Sequence, residues 1–208
     1  MGKGSRLLLF LTLCVFLIAS GAFTVGAQEN KVRAKIGIQI KSGDQTKSAR
    51  AQDDISVNDL IRVYVHPEES SYLYVIHTDQ KESTLLKITQ QTGQSSTLAM
   101  PSPQEFYQID GVSSKEAFSI IVSPRALTEV TDVFKNGTAP IDKWTAVEES
   151  LVTRSKINLR QEVEKPFAIA GNVRGIGANA NADSFENNLQ IYSGKSMLVK
   201  RYEFRVKK

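Results

Sequence analysis

The sequence predicts a mainly β (α+β) fold: an antiparallel sheet or β-sandwich with two helices inserted before a C-terminal β-hairpin. Three observations carry this. Short runs rich in β-branched and aromatic residues alternate with polar, turn-forming stretches from residue 34 to residue 122. Apolar residues fall at three- and four-residue spacings only between about 125 and 155. Period-two alternation then returns, with Leu198, Lys200, Tyr202, Phe204 and Val206 on one face and Val199, Arg201, Glu203 and Arg205 on the other.

The elements follow in order. Lys3 and Arg6 precede an almost unbroken apolar run, 7–23, and Val25, Gly26 and Ala27 then offer the small residues that a signal peptidase reads. Residues 1–27 are therefore expected to be a secretory signal peptide, and 28–208 a single β-rich domain. A retained membrane anchor is the competing reading, since about 20 apolar residues span a bilayer. Cys14 is an ordinary member of the apolar run, because Leu11, Thr12 and Leu13 lack the small residues of a lipoprotein site.

Ile36, Ile38 and Ile40 alternate with Lys35, Gly37, Gln39 and Lys41, as in a half-buried strand. The polar stretch 42–54 reads as a loop. Strands 60–66 and 72–78 are expected to form a hairpin around Pro67, Glu68, Glu69, Ser70 and Ser71. Further strands are expected at 84–89, 96–100, 105–110 and 117–122, with a polar turn at 90–96. A helical insert is expected over 125–156. Ser123 would cap its first helix, with Pro124 at the first turn and Asn136-Gly137 at its end. Pro140 opens a second helix with Ile141, Trp144, Val147, Leu151 and Val152 on one face. Returning strands are expected over 165–208: a strand at 167–170, a Gly- and Asn-rich loop at 171–183, and a hairpin of 189–192 with 197–206 turning at Ser193-Gly194.

Composition narrows the function. The net charge of +4 includes Lys3 and Arg6 of the leader, and no long basic block follows, so nucleic acid is not an expected partner. Without Cys14 the exported chain has no cysteine, which excludes disulfides, thiol catalysis and thiolate metal sites. Asn136-Gly137-Thr138 is a formal glycosylation sequon, but reads first as a turn.

The predicted hairpin sets Val63 opposite Val75 and Tyr64 opposite Tyr74. Ile61, Val63, Val65, Leu73 and Val75 then face the core. Tyr64, His66, Tyr72 and Tyr74 share the other face with Arg62 and Ile76. These four are the candidate ligand-binding residues, because aromatic faces stack on sugar rings and tyrosine hydroxyls bond to theirs. The competing reading covers this face with another layer. His66 and His77, the two histidines, fall on opposite faces, so no catalytic residues, metal site or cofactor are predicted. The glycine-rich stretch around Gly171, Gly175 and Gly177 lacks the spacing and the lysine of a phosphate loop. The adjacent carboxylates Glu68-Glu69 and Glu148-Glu149 read as solvated.

Asn58-Asp59, the strand 60–65, Tyr72-Leu73-Tyr74-Val75-Ile76, Leu85-Leu86, Met100-Pro101, Phe106, Gly111, Glu116 and the closing stretch 117–124 fall in the order of a recognisable pattern. Over residues 58–124 the chain resembles domain of unknown function family 4384. Leu86-Lys87-Ile88-Thr89 departs from the Leu-Phe-Pro-Asn often found there. The resemblance implies a β-rich extracytoplasmic or modular accessory domain, often bacterial, with no assigned catalytic residues.

The expected function is that of an exported, periplasmic or secreted, non-catalytic adapter of the bacterial cell envelope. It would contact an envelope protein through a sheet edge or the Tyr face, and a membrane only if the N-terminal segment is retained. The alternatives are a glycan-binding module taking a polysaccharide on the Tyr face, or a hydrolase whose pocket draws His66 or His77 together with a serine and an acid.

Overall fold

The structure, a computed structural model, describes residues 31–91, 97–156 and 185–208. The leader, the expected strand at 167–170 and the loop at 171–183 lie outside the described residues. Twelve strands and two α-helices are described: β1 (Val32–Ser42), β2 (Gln45–Ser48), β3 (Gln52–Ser56), β4 (Leu60–Pro67), β5 (Ser71–Thr78), β6 (Ser83–Gln91), β7 (Leu98–Met100), β8 (Tyr107–Gln108), β9 (Lys115–Ser123), α1 (Thr128–Val133), β10 (Thr138–Ala139), α2 (Ile141–Ser155), β11 (Gln190–Gly194) and β12 (Leu198–Lys207). A 3₁₀ turn, Glu186–Asn188, precedes β11.

The strands form two sheets. The first runs β11-β1-β4-β7, with β2 on β1 and β8 on β4; the second runs β10-β6-β5-β9-β12-β3. The alternation read in β1 sets the register of the first sheet: Ile36, Ile38 and Ile40 stand opposite Val65, Val63 and Ile61 of β4, and all six are fully buried. They pack on Leu73, Val75, Phe118, Ile120, Val122, Leu198, Tyr202 and Phe204 of the second sheet. Two sheets with inner faces interdigitated make a β-sandwich. The second sheet's outer face, with Tyr74, Ile76 and Ile121, is covered by α1 and α2 through Val130, Phe134, Trp144 and Leu151. The result is three layers.

Several expectations are corrected. Strands β4 and β5 do not pair: β4 bonds to β1 and β7, and β5 to β6 and β9. The link beginning at Pro67 carries the chain from one sheet to the other. Strands facing each other across a core show the same alternation as strands side by side, so periodicity cannot separate the two. The expected closing hairpin divides in the same way, β11 joining β1 and β12 joining β9 and β3. Gly194 lets the chain turn there, since a Cβ on it would lie 1.9 Å from the Met197 carbonyl oxygen. The polar stretch 42–54, read as a loop, contains β2 and the first three residues of β3. β3 pairs parallel to β12 and buries Ile55. Ser123 ends β9 instead of capping a helix; its Oγ bonds to both the N–H and the carbonyl of Arg125. The backbone at Leu127 precedes α1 without a side-chain cap.

Candidate functional site

The structure separates the four candidate residues. Tyr64 and His66 lie on the outer face of the first sheet. Tyr64 is 6% exposed; its hydroxyl accepts from Arg62 Nη1 (3.2 Å) and donates to Gln39 Oε1 (3.1 Å), and its ring packs on Phe185. Arg62 in turn lies 3.7 Å from the centre of the Phe106 ring. His66 is half-buried, with Nδ1 3.4 Å from Thr97 Oγ1. Tyr72 and Tyr74 lie on the outer face of the second sheet, against the helices. Tyr74 is fully buried and its hydroxyl accepts the Leu127 N–H at 2.8 Å. Burial raises its pKa above the ordinary tyrosine value. No shared tyrosine platform exists, because it required the β4–β5 pairing.

One histidine does meet an acid. His77 ends the inward-facing series of β5, after Leu73 and Val75. Glu116 begins that of β9, before Phe118 and Ile120. Pairing of His77 with Phe118 sets the two strands so that His77 Nε2 bonds to Glu116 Oε2. Glu116 is 5% exposed. The pair floors a cavity of about 220 Å³ between the two sheets, walled by Leu86, Tyr107, Ile109 and Phe118 and rimmed by Asp79, Gln108 and Asp110. Burial raises the Tyr107 pKa. Burial also opposes the charge on Asp79, but the N–H groups of Glu82 and Lys81, with His77 nearby, hold its carboxyl below the usual range. The lining contains no serine, threonine or cysteine. The sequence signal for this site was a histidine and a glutamate standing where two core faces run out, 39 positions apart.

A larger cleft, about 540 Å³, lies on the outer face of the second sheet at the start of α2. Several of its charged side chains are paired. Arg201 pairs with Glu203 (2.8 Å) and with Glu148 (2.5 Å), and Arg205 pairs with Asp54 (2.9 Å). Burial disfavours the charge on Arg201, yet the bonds to Glu148 and Glu203 outweigh it and raise its pKa. Glu148, read as solvated, is thus corrected to a buried partner on the inward face of α2. Glu68 is partly exposed and lies 3.4 Å from Arg33.

The third feature is an edge. β10 covers β6 only at Ser83 and Thr84, and the Leu85 N–H reaches the Gly137 carbonyl. Beyond Leu85, no strand among the described residues pairs with the side of β6 away from β5. This stretch, 86–91, exposes Ile88 at 45% and Lys87.

No family model, curated protein or solved structure matches this chain. Among the described residues, no helix is long and apolar enough to cross a membrane, and no three or more His, Cys, Asp or Glu residues are grouped to hold a metal ion.

Proposed function

We propose that this chain is an exported, non-catalytic adapter of a bacterial cell envelope that binds an extended segment of a partner protein by adding it to β6. The observation that carries the reading is that no strand among the described residues pairs with residues 86–91 of β6 on the side away from β5. A long strand of β-branched and apolar residues with an uncovered edge is a template for another strand, and proteins ordinarily blunt such edges. Lys87 is the one charge in the stretch 86–91 and favours a partner with an acidic residue opposite it. The leader-like segment 1–27 and the resemblance of 58–124 to domain of unknown function family 4384 support export and an accessory role.

The test places a photo-crosslinking residue at Ile88 of the full-length chain, and at exposed Lys143 of α2 as a control, in the native host. The expected result is an adduct to one protein from position 88 only. A synthetic peptide of the captured segment then slows amide exchange at 87–90. Equal capture at both positions, or a peptide that leaves those amides exchanging freely, overturns the reading. Capture of polysaccharide at position 88 overturns it in favour of glycan binding.

A further inference from the structure

The mouth between the sheets is built for a ligand of definite charge. Its volume, about 220 Å³, is below the ~300–1,000 Å³ of common drug-sized sites and suits one side chain or one small molecule. Three carboxylates line it, and no lysine or arginine does. Glu116 uses Oε2 on His77, while Oε1 has no hydrogen-bond partner among the described residues. That oxygen is not sealed in protein, since the one fully enclosed orphan among the described residues is Trp144 Nε1. Glu116 lines both this mouth and the larger cleft, so open space lies within reach of that oxygen. A carboxylate more than nine-tenths buried with an oxygen free to accept is stabilised by a donor cation, and an unmade bond at such a group is costly. Asp79 and Asp110 each use Oδ1 on backbone N–H groups, which fixes both side chains at the rim. Leu86, Tyr107, Ile109 and Phe118 form an apolar sleeve between the rim and Glu116.

We infer that this mouth binds a primary alkylammonium group, its methylenes against Leu86, Tyr107, Ile109 and Phe118 and its nitrogen on Glu116 Oε1. A compact ammonium on a flexible aliphatic stem matches a narrow sleeve with one free oxygen at its floor, whereas a planar guanidinium seeks two oxygens side by side. The site shares Leu86 with the β6 stretch 86–91, its other lining residues lie outside that stretch, and its test uses no peptide strand.

Resonances of Phe118, Tyr107 and the His77 ring are followed by NMR in the full chain as n-butylammonium, n-butanol, butyrate, N-acetyl-lysine amide or N-acetyl-arginine amide is added. Butylammonium is expected to shift them saturably, at least about tenfold more tightly than butanol, a difference of about 1.4 kcal/mol; butyrate leaves them unmoved. Shifts with the lysine amide as well assign the site to a peptide lysine. Shifts with butylammonium alone assign it to a free aliphatic amine. Glu116→Gln is expected to weaken binding about tenfold. Asp110→Asn keeps the bond to the Val112 N–H and provides a folded variant with weakened binding if Glu116→Gln does not fold. Asp54→Asn, remote from the mouth, is the control. Equal shifts with butanol and butyrate, stronger binding of the arginine amide, or unchanged affinity in both Glu116→Gln and Asp110→Asn overturns the inference.

Discussion

Glu148 of α2 ties the helical layer to the sheet through Arg201 of β12. Arg201 Nη1 donates to Glu148 Oε2 at 2.5 Å, while Ser119 Oγ donates to the other carboxylate oxygen. Strand register sets Arg201 beside Ser119, so one buried carboxylate gathers donors from two adjacent strands. Glu148→Gln keeps the shape and removes the charge. It is expected to cost about 1–3 kcal/mol, the range for a weakened buried charged bond, discounted because the arginine is one-third exposed. Urea denaturation measures it. A double-mutant cycle with Arg201→Met should give a coupling above about 0.5 kcal/mol; strict additivity would show that the pair contributes nothing.

Tyr74→Phe tests the second link between these layers. The hydroxyl accepts the Leu127 N–H where the chain enters α1. Its removal leaves a buried donor unpaired and is expected to cost about 1–2 kcal/mol. Amide exchange at Leu127 should accelerate more than that at Ile38 in the other sheet. Equal acceleration at both would mean that the loss is global and the bond is not local to α1.

Stability is expected to fall at both ends of the pH range. The hydrogen bond from Lys207, aided by Arg205, lowers the Asp54 pKa; Arg154 does the same for Glu129; and backbone N–H groups outweigh burial to lower that of Asp79. Lowered carboxylates stabilise the fold above their unfolded values, near about 4, and that contribution is lost as pH falls through the folded values. Burial raises the pKa values of Tyr202, Tyr74 and Tyr107. Their contribution is complete below about pH 10 and is lost as pH rises through the folded values. An alkaline absorbance titration should show these three of the six tyrosines ionising late and together with unfolding. Six ordinary tyrosine titrations in the folded protein would refute this.

The fold class was legible because burial leaves a period in the sequence. Ile36, Ile38 and Ile40 announced a core strand, the two faces of β12 were read correctly, and Trp144 and Leu151 marked the buried face of α2. Pairing was not legible. Ile61, Val63 and Val65 alternate the same way whether Val75 lies beside them or across the core, so the Tyr64–Tyr74 face was an artefact of choosing the first. His77 and Glu116 each stood where a core face runs out, but their pairing was not legible, since they meet only through the β5–β9 register. The polar stretch 42–54 hid the start of β3, whose only deeply buried side chain, Ile55, follows it; a single inward residue leaves no period to read.

Trp144 offers a test in which the loss of an orphaned donor should offset part of the lost packing. It is the single tryptophan of the sequence, fully buried, with its ring 5.2 Å from that of Phe134. Its indole N–H has no partner among the described residues. An orphaned buried donor costs about 1–3 kcal/mol. Phenylalanine removes that donor and keeps much of the ring's contact, so relief offsets part of the lost packing. Trp144→Phe is expected to cost about 1 kcal/mol or less, against about 3–5 kcal/mol for Trp144→Ala, which empties the site. Circular dichroism in urea measures both without relying on the missing fluorophore. If Trp144→Phe costs as much as Trp144→Ala, the N–H is not an orphan in solution, and a polar partner reaches it beneath α2.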